Sequence, residues 1–190
     1  MNLIRSFFIA FSMYSKIPMP RTEWTKDAMK YSMCFFPLIG IVIGGLMLLW
    51  DFLASGILGR GSILYTAVLT AIPVAVTGGI HLDGLLDTAD ALSSYKTMEE
   101  KLEILKDSHA GAFAIIVGIV YFLLSFGILS EANAKRLGIL AVGFVLSRAL
   151  SGLALVCFPL AKNTGLVAMF AEMAMKKRVR NVMACYILIC

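Results

Sequence analysis

Four apolar runs, each long enough to cross a bilayer, constrain this chain more than any other feature. They cover residues 31–54, 61–80, 110–129 and 137–160, and each is near the roughly 20 residues that a spanning helix needs. A backbone inside lipid must satisfy its own hydrogen bonds, so such runs are helical. A fifth run, 181–190, amounts to about half a span. It reads either as the start of a further span in a longer chain or as an interfacial segment. Only 15% of residues are charged against 59% hydrophobic, too few to coat a soluble domain. The expected fold class is all-α: a polytopic integral membrane helical bundle of four full spans, a partial fifth and interfacial helices. Residues 1–190 are read as one membrane domain, with the lipid bilayer as a partner.

The interfacial helices show in the pattern of apolar residues. Leu3, Ile4, Phe7, Phe8 and Phe11 recur at helical spacing within residues 1–20, and Pro18 and Pro20 end that segment. A second such helix is expected over 166–180, finishing in Lys176, Lys177, Arg178 and Arg180. Met1–Ala10 lacks a small-residue cleavage site, so no cleavable secretory signal is expected. The four cysteines form no CxxC pair and read as small buried hydrophobes.

Charge sets the orientation. With the N-terminus inside, 13 of the 17 Lys and Arg fall on inner segments, a positive-inside signal. The net charge of +5 therefore reflects membrane anchoring, and nucleic acid is not an expected partner. The same orientation makes 81–109 a cytoplasmic loop in a multi-pass cell-membrane protein.

That loop concentrates the chemistry. Four of the six aspartates (Asp83, Asp87, Asp90 and Asp107) and both histidines, His81 and His109, lie within it. If 83–90 is helical, the i, i+4, i+7 spacing confines three carboxylates to an arc of about 60°. A solvated face would intersperse lysines, yet no basic residue occurs between His81 and Tyr95. Mutual repulsion calls for a cation among the carboxylates, and Mg²⁺ suits hard carboxylate oxygens. Further along, Thr97 and Glu100 fit a capping box, starting a helix expected to reach Lys106–Asp107. Asp107 and His109 would then return to the membrane surface beside His81 and Asp83.

Other residues leave alternatives open. The histidines read equally as interfacial side chains or as proton-transfer and phosphate contacts. Lys106 is an ion-pair partner of Asp107 or a phosphate contact. Arg148, eleven residues into a span, needs a carboxylate or an anionic ligand, so structural pairing and substrate binding are both open. Gly40, Gly44 and Gly45 mark close helix packing.

Two motifs carry a resemblance. Gly79-Ile80-His81-Leu82-Asp83-Gly84-Leu85-Leu86-Asp87-Thr88-Ala89-Asp90 and Lys106-Asp107-Ser108-His109-Ala110-Gly111 closely resemble elements of the cobalamin (5′-phosphate) synthases, the adenosylcobinamide-GDP ribazoletransferases. Phe36-Pro37-Leu38-Ile39-Gly40, Ser147-Arg148 and Pro159–Leu166 are similar to further elements of that family. The chain departs from the pattern at Leu160 (Tyr in the family), Lys162 (Arg) and Ala91 (commonly Gly), and family members usually continue through further spans.

The resemblance implies a transferase that joins adenosylcobinamide-GDP to α-ribazole, or its 5′-phosphate, with release of GMP. It implies Mg²⁺ as cofactor, with Asp83, Asp87 and Asp107 as principal ligands and Asp90 as ligand or base. His81 and His109 would position hydroxyl or phosphate groups or act in catalysis, and Lys106, Arg148 and Lys162 would contact anions. Homo-oligomer formation is compatible with it.

Among alternatives, a CDP-alcohol phosphatidyltransferase shares Asp83-Gly84 but lacks its further spacing here. A UbiA-type prenyltransferase needs a second Asp-rich motif. A transporter would distribute ionisable residues through its spans.

Overall fold

The computed structural model describes residues 2–107, 109–161 and 165–190. All regular elements among them are helical: α1 Asn2–Tyr14, α2 Lys26–Met29, α3 Phe36–Leu58, α4 Ile63–Thr77, α5 Ile80–Ser93, α6 Met98–Ile104, α7 Ala112–Ser130, α8 Ala134–Cys157, α9 Leu166–Met173 and α10 Lys176–Ile189. A 3-10 turn, Ser32–Phe35, leads into α3. The helices form two compact units, Met1–Phe52 with Asn133–Cys190, and Leu53–Ala132.

In the first unit α3 buries Phe36, Ile39, Ile43 and Met47. This seam, spaced three to four residues apart, is what an α-helix presents to one neighbour. Gly40 and Gly44 lie beside it against α8, where a Cβ on Gly40 would meet the Phe144 carbonyl oxygen at 2.5 Å. A Cβ on Gly45 meets nothing within 4 Å, so two of the three glycines serve close packing. Helix α8 starts on the Asn133 side chain, which accepts the Arg136 amide at 2.9 Å. It ends at Cys157, just before Pro159, because proline disfavours the helical conformation in the residue before it.

Three expectations change in this unit. Helix α1 forms, but it buries Ser6, Ile9, Ala10 and Phe11 and leaves Leu3 and Ile4 exposed. The Ser6 hydroxyl donates to the Ala28 carbonyl, so tertiary docking selects the face. The helix expected over 166–180 is broken near Ala174–Met175, where the Met175 amide donates to the Lys30 carbonyl at 3.0 Å. Lys176, Lys177, Arg178 and Arg180 therefore open α10 rather than close a helix. Cysteines 157, 185 and 190 are exposed, and Cys34 is half-buried; an apolar run in a bilayer need not face a protein core.

The span count also changes. Three helical segments, Lys26–Leu58, Ala112–Ser130 and Ala134–Cys157, are long and apolar enough to cross a membrane. Helices α4 and α5 pass that test only as a pair, bent by 91°. The cause is Gly78-Gly79, at φ of +65° and +81°, a left-handed conformation that glycine adopts without steric cost. The Gly79 amide donates to the Val74 carbonyl at 3.2 Å and closes the helix end. The 61–80 run is thus cut at Thr77, and α10 is a 14-residue helix outside the candidate spans. Among the described residues the regular structure is all helical, with three helices long and apolar enough to cross a membrane, or four if the bent pair is one span, as in a membrane protein.

Candidate active site

Helix α5 makes the sequence spacing real, because Asp83, Asp87 and Asp90 all lie within its continuous turns. It lies outside the three helices that are singly long and apolar enough to cross a membrane, and is turned 91° from α4, its partner in the bent pair. Asp83 is exposed, while Asp87 and Asp90 are half-buried. Burial pushes the Asp87 carboxyl above the usual carboxylate range, and the negative charges of Asp83 and Asp90 push it the same way. The three carboxylates therefore share one electrostatic neighbourhood.

Asp90 already has partners. Its carboxylate accepts the Gly111 amide at 2.6 Å and the Ala114 amide at 2.9 Å, both at the start of α7. The return of the loop therefore meets the C-terminal half of α5. Asp83 lies seven residues away, about 10 Å along the helix. The contact of the returning chain with α5 is thus made at Asp90, by Gly111 and Ala114, a link that the expected return of Asp107 and His109 beside His81 and Asp83 did not include. Antiparallel packing of α5 on α7 sets the register, bringing Leu86 beside Gly118 as well as Asp90 beside Gly111.

The Thr97 capping box forms: the Thr97 hydroxyl accepts the Glu100 amide, and the Glu100 carboxylate accepts the Thr97 amide at 3.0 Å. Helix α6 nevertheless stops at Ile104, short of Lys106. Lys106 pairs with Glu103 at 2.5 Å, one turn back, rather than with Asp107. Asp107 falls beyond the helix, where its Oδ1 accepts the His109 amide at 3.0 Å and lies 2.7 Å from His109 Nδ1. Those contacts hold the Asp107 carboxyl below the usual range. Both side chains are open to solvent, at 58% and 89% exposure.

His81 is half-buried in the first turn of α5. Arg148 belongs to the first unit and is 6% exposed. It donates to the Phe144 carbonyl at 3.1 Å and to Ser147 Oγ at 3.0 Å, with its guanidinium 5.5 Å from the Phe144 ring. Partners on its own helix thus take up part of the hydrogen bonding that a buried guanidinium demands. Lys162 lies outside the described residues.

No three His, Cys, Asp or Glu side chains among the described residues come together as a ready metal cage. Two carboxylates one turn apart, Asp83 and Asp87, do fit the sparse protein ligation of Mg²⁺, which keeps waters and takes its other oxygens from phosphates. Beside them, Leu86, Ala114, Gly118 and Phe122 border an open cavity of about 570 Å³. Its walls are apolar, so it is not where a phosphate would be held.

Sequence inspection missed the Asp90–Gly111 contact. It joins residues 21 apart across a loop and leaves no local periodicity. The Lys106–Glu103 pair was detectable as an ordinary i, i+3 pairing.

A family model described as cobalamin-5-phosphate synthase matches residues 6–190. An adenosylcobinamide-GDP ribazoletransferase of Lachnoclostridium phytofermentans is 53% identical over 189 residues, covering 100% of this chain and 72% of that protein. The proteins of the same name from Clostridium perfringens and Fusobacterium nucleatum are 36% and 32% identical over 86% and 89% of this chain. The chain spans 66% and 64% of their respective lengths. No solved structure matches. The full-length coverage at this identity leaves one conclusion, that the chain belongs to the cobalamin-5-phosphate synthase family of enzymes.

Proposed function

We propose that this chain carries the active site of a transferase joining adenosylcobinamide-GDP to α-ribazole or its 5′-phosphate, on the cytoplasmic side of the cell membrane. A ribose hydroxyl attacks the phosphorus that bears the aminopropanol arm. A new P–O ester bond forms, the P–O bond to GMP breaks, and the hydroxyl proton passes to a base. The observation that carries this reading is the acidic face of α5, with Asp83 and Asp87 one turn apart and the Asp87 carboxyl pushed upward. A concentrated negative charge of this kind suits the magnesium salt of a pyrophosphate.

Asp83 and Asp87 would hold Mg²⁺, with Asp107 joining from the loop. Bound there, the ion would neutralise charge on the pyrophosphate. Asp90, engaged with two backbone amides, leaves this ligand set. His109, oriented by Asp107, and His81 are the candidates to receive the hydroxyl proton, since a neutral imidazole nitrogen is an acceptor. Lys106 can exchange Glu103 for a phosphate oxygen at little expense, because an exposed ion pair contributes about 0–1 kcal/mol. Lys162 is a further candidate anion contact. Arg148, engaged on its own helix, is assigned to holding α8 rather than to substrate.

The test is GMP release from adenosylcobinamide-GDP and α-ribazole by the complete protein in liposomes with Mg²⁺. Asp83→Asn and Asp87→Asn should each lower the rate by about 100-fold or more, the scale lost with a group that stabilises transition-state charge. Full activity in both variants overturns the metal site. A complete wild-type protein that releases no GMP overturns the reaction.

A further inference from the structure

Helix α7 begins in an unusual way. Its N-cap is Gly111, which has no side chain to accept the free amides of the first turn. The acceptor comes from another helix: Asp90 Oδ2 takes the Gly111 amide and Asp90 Oδ1 takes the Ala114 amide. These are the N-cap and N3 donors, so one carboxylate from 21 residues earlier does the work of a cap. The space is matched to it. A Cβ at Gly111 would lie 2.7 Å from Asp90 Oδ1 and 2.8 Å from Cγ and Oδ2. The Gly111 backbone is extended, with φ of −83°. Room for the carboxylate, not a left-handed turn, is therefore what glycine supplies.

We propose that Asp90 is a positioning residue, a clamp that fastens the start of α7 to α5 and so fixes where Asp107 and His109 stand along the acidic face. Asp107 and His109 precede Gly111 by four and two residues, and both side chains are exposed. On one side Asp107 is tied to the end of α6, its amide donating to the Ile104 carbonyl at 3.0 Å; on the other, the direct fastening of this segment to α5 is Gly111 held by Asp90. Both groups belong to the same compact unit. The charge pattern agrees, since a carboxylate at a helix N-terminus is favoured by the helix dipole. As a role in catalysis the clamp rests on the proposed transferase site; as a structural contact it does not.

The test therefore has two independent readouts on the complete protein in one detergent. The first is deuterium exchange at Gly111 and Ala114, referenced to amides in the middle of α4. Asp90→Asn keeps one acceptor oxygen but turns an NH₂ toward the other donor. It should speed exchange at these two amides by about tenfold or more, as expected when local opening replaces a closed hydrogen bond. Asp90→Ala should speed it further, and Asp83→Asn should leave it unchanged. Gly111→Ala, which retains the carboxylate and both donors but forces them apart, should act like Asp90→Asn. The double variant should be no worse than the more severe single, because both remove one shared interaction.

The second readout is the Mg²⁺ concentration giving half-maximal GMP release. Asp90→Asn and Gly111→Ala should lower kcat while leaving this concentration within about twofold, as a loss of positioning rather than of metal binding predicts. Asp83→Asn should raise it. Unchanged exchange in Asp90→Asn overturns the clamp. So does a Mg²⁺ requirement raised by Asp90→Asn as far as by Asp83→Asn, which would make Asp90 a ligand. If the wild type releases no GMP, the transferase reading fails and the exchange data alone decide the clamp.

Discussion

The same substitution, glycine to alanine, should have opposite effects at two positions five residues apart on α3. An ideal Cβ at Gly40 would lie 2.5 Å from the Phe144 carbonyl oxygen, 2.6 Å from its carbon and 2.7 Å from the Val145 nitrogen. Comfortable heavy-atom contact is about 3.5–4.0 Å, so α3 and α8 must part locally by about 1 Å. All three atoms are backbone, and no rotamer change relieves the overlap. Overpacking of this kind costs about 1–3 kcal/mol, and the gap opened on either side forfeits further dispersion. Alanine returns about 0.8–1.0 kcal/mol through helix propensity, leaving Gly40→Ala destabilising by roughly 1–2 kcal/mol. At Gly45 nothing lies within 4 Å of the new methyl group, and the propensity gain stands alone. At about 2–4 °C per kcal/mol for a chain of this size, Gly40→Ala should lower Tm by roughly 2–8 °C and Gly45→Ala should raise it by roughly 2–4 °C. Gly44→Ala meets Ala141 Cβ at 2.7 Å and Cα at 2.8 Å and should fall on the destabilising side. Thermal unfolding of the purified protein in one detergent, followed by helical circular dichroism, measures all three. Shifts of equal sign and size at positions 40 and 45 would refute the close approach of α3 to α8 on which this reasoning depends.

Three further outcomes follow from the second unit. The raised Asp87 pKa means that the folded state holds this proton to higher pH than the unfolded chain. Its stabilising effect is therefore present below the unfolded value and lost as pH rises through the folded one. Because Mg²⁺ must displace that proton, the rise in Tm that Mg²⁺ produces should shrink as the pH is lowered from neutral into the acid range, and Asp87→Asn should weaken that dependence; equal shifts at all pH in wild type count against it. The lowered Asp107 pKa has the opposite sign. Its contribution is present above the unfolded value and lost only as pH falls through the lowered folded value, so protection of the His109 amide, measured against intrinsic exchange at the same pH, should fall in acid and already be low at neutral pH in Asp107→Ala. Thr97→Ala removes the capping box of an exposed seven-residue helix, costing about 1 kcal/mol locally. Exchange in 98–104 should rise with Tm unchanged, whereas a large fall in Tm would mean that α6 belongs to the core.

Several features were legible from local sequence because their causes are local. Runs of apolar residues near 20 long mean membrane helices wherever they occur, and α3, α7 and α8 appeared where such runs stand. Thr97 and Glu100 satisfy each other across three residues. The i, i+4, i+7 spacing of Asp83, Asp87 and Asp90 fixes a common face once the segment is helical. The reaction class came from motif resemblance, and the family match bears out the membership.

Hydropathy could not show the end of α4, because the 61–80 run stays apolar through Gly78-Gly79 while the backbone there turns left-handed. Nor could it choose the face of α1, since Leu3 and Ile4 are as apolar as the buried Ile9 and only docking through Ser6 onto Ala28 decides. The task of Asp90 was likewise invisible. The acidic motif marked it only as a metal ligand or a base, and only the packing of α5 against α7 gave it two backbone amides. Short-range hydrogen bonding and burial demand thus determined which residues are helical and which segment is acidic. Which of the three carboxylates is taken up by backbone amides depends on contacts between residues more than twenty apart, and tertiary structure alone decided it.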